Sequence, residues 1–231
     1  MKGKEETLAL LGRTELFSGL PSGDLEALLA DVRTRRFAAG SYILREGDAG
    51  DHLHVIASGE VRIARTTEAG GEVVFGVLGT GDVFGEFALL EEGGLRGADA
   101  QALTVTECLL LHRRAFVAFL QTHPEIMWRV VTQLIGRIRR KDEEFADLAF
   151  HDIPGRVARK LLELASGRGE RSGSGTLIAL PLSQRTLAGL VGASRENVNR
   201  ALSHFGSLGL LKVERGRITL LRPEELRRRA I

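Results

Sequence analysis

The stretch Gln184-Arg185-Thr186-Leu187-Ala188-Gly189-Leu190-Val191-Gly192-Ala193-Ser194-Arg195-Glu196-Asn197-Val198-Asn199-Arg200-Ala201-Leu202 decides how this chain folds. Two short helices that cross closely need a small residue at the crossing, and Ala188 supplies one. They need a glycine at the turn, and Gly192 follows four residues later. Leu187, Val191, Ala193, Val198 and Ala201 have the spacing of inward-facing apolar residues, and Ser194 is an N-cap for the second helix. The pattern is that of a helix-turn-helix, and an ordinary helical hairpin would not require all of these features together.

The outward face of the second helix then carries Arg195, Glu196, Asn199 and Arg200. Arginine can bond guanine O6 and N7 together, and glutamate can accept from cytosine N4, so these four are the candidate base readers of duplex DNA. Ser183, Gln184 and Arg185 open the first helix, where hydroxyl, amide and main-chain N–H groups meet phosphate. Downstream, residues 210–214 and 217–221 read as a hairpin closed by Arg215-Gly216, the wing of a winged helix. On it Lys212, Arg215 and Arg217 either touch phosphates or are solvated.

Charge is distributed in keeping with that reading. From Ile153 to Ile231 there are 15 Lys/Arg against 6 Asp/Glu, a balance of +9, whereas the rest of the chain carries 17 against 24, a balance of −7. A basic C-terminal third is the electrostatic footprint of a module that binds a polyanion.

The 231 residues suffice for two modest domains, and 43% hydrophobic with 27% charged residues is an ordinary globular composition. No apolar run reaches membrane-spanning length, and the start Met1-Lys2-Gly3-Lys4-Glu5-Glu6 lacks a signal-peptide core, so a cytoplasmic protein is expected. Cys108 is the only cysteine, which excludes an internal disulfide or a cysteine-ligated cluster within one chain. It is either a small buried hydrophobe in the run 108–111 or a redox-sensing thiol.

Working toward the N-terminus, residues 36–112 are punctuated by Gly40, Gly47, Gly50, Gly59, Gly70-Gly71, Gly79, Gly81 and Gly85. Between the glycines lie short β-rich runs at 42–44, 53–56, 61–63, 73–75, 83–84, 103–105 and 109–111. Many short strands with turn signals predict a barrel or sandwich. Before them, Leu25, Leu28, Leu29 and Val32 have helical spacing after Ser22 as an N-cap. The run Gly79-Thr80-Gly81-Asp82-Val83-Phe84-Gly85 has the wrong spacing for a dinucleotide fingerprint, and no helix is expected after it. His52 and His54 share a strand face, but with no third ligand in view no metal site is assigned. No nucleophile–base motif appears, so an enzyme is not expected.

Phe116, Phe119 and Leu120 form one short helical stripe. After Pro124 a longer one runs to about Asp152. Met127, Val131, Leu134, Ile138, Lys141, Phe145 and Leu148 alternate spacings of four and three, which is a heptad seam flanked by Arg137, Arg139, Arg140, Glu143 and Glu144. The seam packs either against a second copy of the chain, making a homodimer, or against its own domain. Asp152-Ile153-Pro154-Gly155 breaks the helix and starts another. Residues 166–176 read as a Gly/Ser/Arg loop. The expected organisation is an effector-sensing domain over 1–123, a dimerisation helix and hinge over 124–152, and a DNA-binding domain over 153–231.

Taken together the chain resembles the cyclic-AMP receptor protein / fumarate–nitrate regulator superfamily. Gly47-Asp48-Ala49-Gly50-Asp51, Ala57-Ser58-Gly59-Glu60-Val61 and Gly85-Glu86-Phe87-Ala88-Leu89 match its β-roll landmarks. Residues 147–158 match its hinge and following helix, and 192–200 its recognition helix. The fumarate–nitrate branch's N-terminal cluster cysteines are absent. The resemblance implies an α+β fold: a cyclic-nucleotide-binding β-roll (a double-stranded jelly roll), a long dimerisation helix and a C-terminal winged helix-turn-helix. It further implies a homodimer on a near-palindromic, TGTGA-like site read by Arg195, Glu196 and Arg200, with RNA polymerase as a protein partner and no membrane partner.

In the family, the segment opening Gly-Glu and ending Arg-Ser-Ala cradles a cyclic nucleotide. Here that implies Gly85, Glu86, Phe87, Arg96, Gly97 and Ala98 as effector residues. Arg96 would pair with the cyclic phosphate, Glu86 would accept the ribose 2′-OH, and amides near Gly85 and Gly97 would complete an anion nest. Alternatively Glu86 and Arg96 form only an internal ion pair. The chain departs from the pattern twice. Gly97 replaces a serine, and Lys141 and Asp142 stand where the family places polar adenine contacts. Those two either crowd adenine, pair across a dimer interface, or leave Asp142 to accept from the adenine amino group. The effector is therefore cyclic AMP, another nucleotide, or none. Three functions stand: a ligand-gated DNA-binding regulator, a ligand-independent one set by its expression level, and a sensor acting on a protein partner.

Overall fold

Strand-forming and helix-forming segments alternate in the first half of the computed structural model, which describes residues 3–67, 71–91, 93–173, 175–178, 183–214 and 217–230. The chain divides into two units, one ending at Arg137 and one beginning at Ile138.

The first unit opens with helices α1 (Lys4–Leu11) and α2 (Ser22–Leu29) and continues into strands β1 (Val32–Phe37), β2 (Tyr42–Leu44), β3 (His52–Ser58), β4 (Val61–Thr66), β5 (Glu72–Leu78) and β6 (Val83–Phe84). A one-turn helix α3 (Phe87–Leu90), strands β7 (Asp99–Ala102) and β8 (Thr106–His112), and helix α4 (Arg113–Thr122) follow. The strands make two four-stranded antiparallel sheets, ordered β1-β8-β3-β6 and β2-β7-β4-β5.

Phe37, Ile56, Phe84 and Cys108 from the first sheet meet Val61, Ala100 and Ala102 from the second in one apolar layer. The other face of the first sheet, with Leu53, Val55, Leu109 and Leu111, is covered by Leu11, Phe17, Leu28, Phe116 and Phe119 from the helical segments. Both faces of β3 are thus buried, which is why its sequence reads as a continuous apolar run rather than an alternating one. The glycine punctuation predicted a barrel or sandwich, and the two facing sheets observed are the β-roll that the family resemblance implied.

Four local expectations are corrected here. Ser22 is the first helical residue and caps nothing; Pro21 precedes it in the cap position without a side-chain bond. Val32 leaves the helical stripe and starts β1, paired with Leu111, because β8 offers it a full antiparallel ladder. Residues 103–105 are a turn rather than a strand: Thr104 Oγ1 accepts from the Glu60 N–H at 3.0 Å, and the ladder resumes at Thr106. A helix, α3, also follows Gly85 where none was expected, though it is only four residues long.

Helix α5 (Pro124–Phe150) crosses the division between the units. In the first unit Ile126, Val130 and Leu134 pack into the helix-covered core.

The second unit holds α6 (Ile153–Arg168), β9 (Gly169–Ser172), β10 (Gly175–Ile178), α7 (Gln184–Val191), α8 (Arg195–Ser207), β11 (Leu211–Glu214), β12 (Arg217–Leu220) and α9 (Pro223–Arg227). Asp152 caps α6, its Oδ1 accepting from the Gly155 N–H at 2.8 Å. The expected loop over 166–176 is instead the last turn of α6 and the β9–β10 hairpin. It is drawn into a sheet of order β11-β12-β10-β9 because β12 presents a free ladder to residues 176–178. The β11–β12 hairpin is the expected wing, with Arg215 and Gly216 outside the described residues.

Candidate DNA interface and effector pocket

Helix α7 begins at a Ser183 cap, whose Oγ accepts from the Thr186 N–H at 3.0 Å, and ends at Gly192 in the left-handed conformation (φ 60°). Only glycine adopts that turn without strain. Helix α8 begins at Ser194, whose Oγ accepts from the Asn197 N–H at 3.3 Å. Leu187, Ala188, Val191, Val198 and Ala201 are buried between the helices, and Ala193 is half-buried. Arg156 of α6 locks the assembly from below. Its guanidinium donates to the main-chain oxygens of His151 (3.0 Å), Val191 (3.0 Å) and Gly192 (3.3 Å).

This framing leaves Arg195, Glu196, Asn199 and Arg200 exposed on one face of α8. The Glu196 carboxyl is held below its ordinary pKa by its own main-chain N–H and by the Ser194 hydroxyl, so it is a ready acceptor. Ser183 and Arg185 are exposed at the start of α7, and Gln184 is half-buried. Lys212 on the wing is paired with Glu214 at 2.8 Å, which reduces its charge toward phosphate.

In the first unit, Arg96 is 4% exposed. Its Nη1 donates to the Gly85 oxygen at 2.7 Å and its Nη2 to the His52 oxygen at 2.9 Å, while Nε has no partner. Gly85 is left-handed (φ 84°), and a Cβ there would stand 2.6 Å from Arg96 Nη1; a Cβ at Gly50 would collide with Ala88 at 2.3 Å. The glycines quoted from the sequence are therefore what lets the guanidinium lie under the β6–α3 turn. Burial lowers the Arg96 pKa, and the Asp51 carboxylate at 3.9 Å opposes that shift.

Glu86, 5% exposed, does not pair with Arg96. Its Oε1 is ion-paired with Arg137 of α5, and its Oε2 has no partner. Arg137 also donates to the Val83 oxygen at 3.2 Å and lies 5.5 Å from the centre of the Phe87 ring. A buried guanidinium with a spare N–H and a buried carboxylate with a spare oxygen form a donor–acceptor set suited to an anionic, hydroxylated ligand. Gly97 is exposed, and nothing lies within 4 Å of where its Cβ would be, while Ala98 is half-buried.

Sequence reasoning read Arg137 only as a charged flank of the seam. A contact 51 residues away in sequence leaves no local signal. In the second unit, Lys141 pairs with Glu144 of its own helix at 2.5 Å, and Asp142 is exposed.

His52 and His54 do not converge on a metal, and no cluster of ligating side chains occurs among the described residues. His52 Nδ1 bonds Asp51 at 2.7 Å and its ring meets His112 edge-on. His54, 3% exposed, stacks on Phe84 with centroids 4.9 Å apart. Cys108 is fully buried, and burial pushes its thiol pKa up to about 12, so the hydrophobe reading of this residue is the one its surroundings support.

Of the seam residues, Val131 is half-buried and Leu134 packs on its own domain, whereas Ile138 and Phe145 are 61% and 74% exposed. Trp128, 72% exposed and passed over by heptad counting, joins Met127 in an apolar surface. No helix among the described residues is long and apolar enough to cross a membrane.

A β-roll that buries an arginine and a glutamate with unspent bonding capacity, in one chain with a winged helix-turn-helix, defines a DNA-binding transcription regulator with a cyclic-nucleotide-binding domain. The family comparisons agree segment by segment. Residues 34–123 match the cyclic nucleotide-binding domain model, and residues 155–229 match the Crp-like helix-turn-helix domain model.

The chain is 35% identical over 221 residues to the CRP-like cAMP-activated global transcriptional regulator of Mycobacterium tuberculosis strain H37Rv, covering 96% of this chain and 98% of that one. It is 35% identical over 203 residues to the cyclic AMP receptor protein of Thermus thermophilus, covering 88% and 90%. Among solved structures it is similar to the c-di-GMP responsive global regulator CLP of Xanthomonas campestris, at TM-score 0.77 and 29% identity over 87% of this chain and 99% of that one. The chain belongs to the cyclic AMP receptor protein (CRP) family of transcriptional regulators.

Proposed function

We propose that the chain is a homodimeric, sequence-specific regulator. In this reading residues 124–152 are the dimerisation helix and hinge, and Arg195, Glu196 and Arg200 read a near-palindromic, TGTGA-like site through two adjacent major grooves. The observation that carries it is the exposure of those three side chains on a helix whose start, turn and apolar face are all fixed by capping and burial. Asn199 is assigned to the same face, and Ser183, Gln184, Arg185 and Lys212 to phosphates. RNA polymerase is the proposed protein partner, and the cytoplasm the proposed location. A gel-shift titration on a TGTGA-type palindrome tests the reading: Arg195→Ala should weaken specific binding by roughly tenfold or more. Equal binding to unrelated duplex would reject it.

The effector proposed is a cyclic nucleotide, with cyclic AMP the first to test. Arg96 would hold the cyclic phosphate and Glu86 Oε2 the ribose 2′-OH, with Phe87, Gly85, Gly97 and Ala98 around them. Ligand would shift the population toward the DNA-competent dimer by bonding to Glu86 beside Arg137, on the helix that continues into the seam. One observation favours a second reading, a regulator needing no ligand. Arg137 already occupies Glu86 Oε1 and the Val83 oxygen, so the chain makes its own tie from roll to helix. Calorimetric titration separates the two. Heat with cyclic AMP, abolished by Arg96→Met, supports the ligand-gated reading; no heat and no change in DNA affinity supports the other.

A further inference from the structure

Glu196 and Arg200 stand four residues apart on the outward face of α8, acid before base, the order in which a helix ordinarily forms its surface ion pairs. Such a pair would bend the two groups toward each other and neutralise both. Among the described residues no ion pair joins them. The main-chain N–H of residue 196 and the Ser194 hydroxyl lower the pKa of the Glu196 carboxyl. Arg200 Nη2 donates to Asn197 Oδ1 at 3.1 Å. A guanidinium has donors only, so the amide must present its oxygen to it. Asn197 is itself fixed: it is half-buried, and its main-chain N–H is bonded to the Ser194 cap. Asn197 therefore holds one of two opposite charges away from the other on one helical turn.

We propose that Asn197 is a positioning residue for base reading. It keeps Arg200 off Glu196, so that the guanidinium reaches a guanine edge unneutralised and in a restricted set of rotamers. The proposal rests on α8 being the recognition helix. A long side chain loses much of its freedom on binding, and holding it in advance recovers roughly threefold to tenfold in discrimination.

The full chain is tested on a duplex selected from a randomised pool, and on duplexes changed one base pair at a time. The pair read by Arg200 is the one at which Arg200→Ala loses its guanine preference. Asn197→Ala should lower that preference by roughly threefold to tenfold, and adding Glu196→Gln to it should restore most of the preference. Asn197→Asp, which sets a carboxylate against the guanidinium in place of a neutral amide and so neutralises it, should lower the preference as Asn197→Ala does. A variant that merely folds badly would lose affinity for every duplex alike and would not be rescued by Glu196→Gln. Unchanged guanine preference in Asn197→Ala, or no rescue in the double variant, overturns the proposal. No effect of Arg200→Ala on any base pair overturns the recognition-helix reading beneath it.

Discussion

Leu148, near the end of α5, lies against Gly192, the left-handed turn between α7 and α8: a Cβ at Gly192 would come within 2.9 Å of Leu148 Cδ2. Sequence spacing assigned Leu148 to the dimer seam, yet within one chain it is already a packing partner of the DNA-reading unit. Gly192→Ala therefore meets one main cost, a left-handed backbone of about 1–2 kcal/mol, because the half-exposed Leu148 can swing its Cδ2 aside. The variant should be destabilised by roughly 1–2 kcal/mol in urea denaturation. Adding Leu148→Ala should recover almost none of that loss, so the two substitutions should be additive. A large recovery in the double variant would mean that steric conflict, and not backbone strain, sets the cost.

His54 gives the fold a pH dependence. Burial lowers its pKa from 6.5 to about 3, with the Arg96 charge adding to the effect. The unfolded chain takes up this proton as pH falls below about 6.5, and the folded chain does not until about pH 3, so stability falls through that window and is intact above it. Between pH 8 and pH 5 the expected loss is about 2 kcal/mol. His54→Phe keeps a ring against Phe84 and should flatten this part of the profile. Parallel profiles for the two proteins would contradict the assignment.

Exposed apolar side chains on α5 make the dimer testable in one substitution. Phe145→Glu places charge where a second copy is proposed to pack, without touching the core of either unit. Sedimentation equilibrium at micromolar concentration should give the dimer mass for the parent and the monomer mass for the variant. Specific DNA affinity should fall by roughly a hundredfold or more, since one half-site then acts alone.

Cys108 should behave as a silent thiol. With its pKa raised to about 12 and no exposed surface, it should resist an aromatic disulfide reagent at pH 8 in the folded protein and react fully in denaturant. Rapid native-state labelling would revive the redox-sensing reading of this residue.

How much of this was legible in the sequence follows the range of the interactions. The helix-turn-helix is written in contacts four residues apart or fewer, so Ala188, Gly192 and Ser194 announce it. The sheet-rich unit is announced by its glycines, because Gly85 must leave room for Arg96 and Gly50 for Ala88, close approaches that a Cβ would block. Val32 was misread because a stripe at helical spacing ran on past the last helical residue, and only the distant strand 106–112 could claim it. The alternative in which Glu86 forms only an ion pair with Arg96, the basic residue of its own segment, is set aside, because the ion pair Glu86 makes is with the distant Arg137. Asn197 was passed over because its role is to hold a neighbour and not to face outward.

The burial of Cys108 has a practical use. With the native thiol shielded, a cysteine introduced at an exposed site away from the proposed seam, such as Asp31, would be the single address in the folded chain for a fluorophore or spin label. Distances between two copies could then be followed, with and without nucleotide or duplex, in an otherwise unaltered protein.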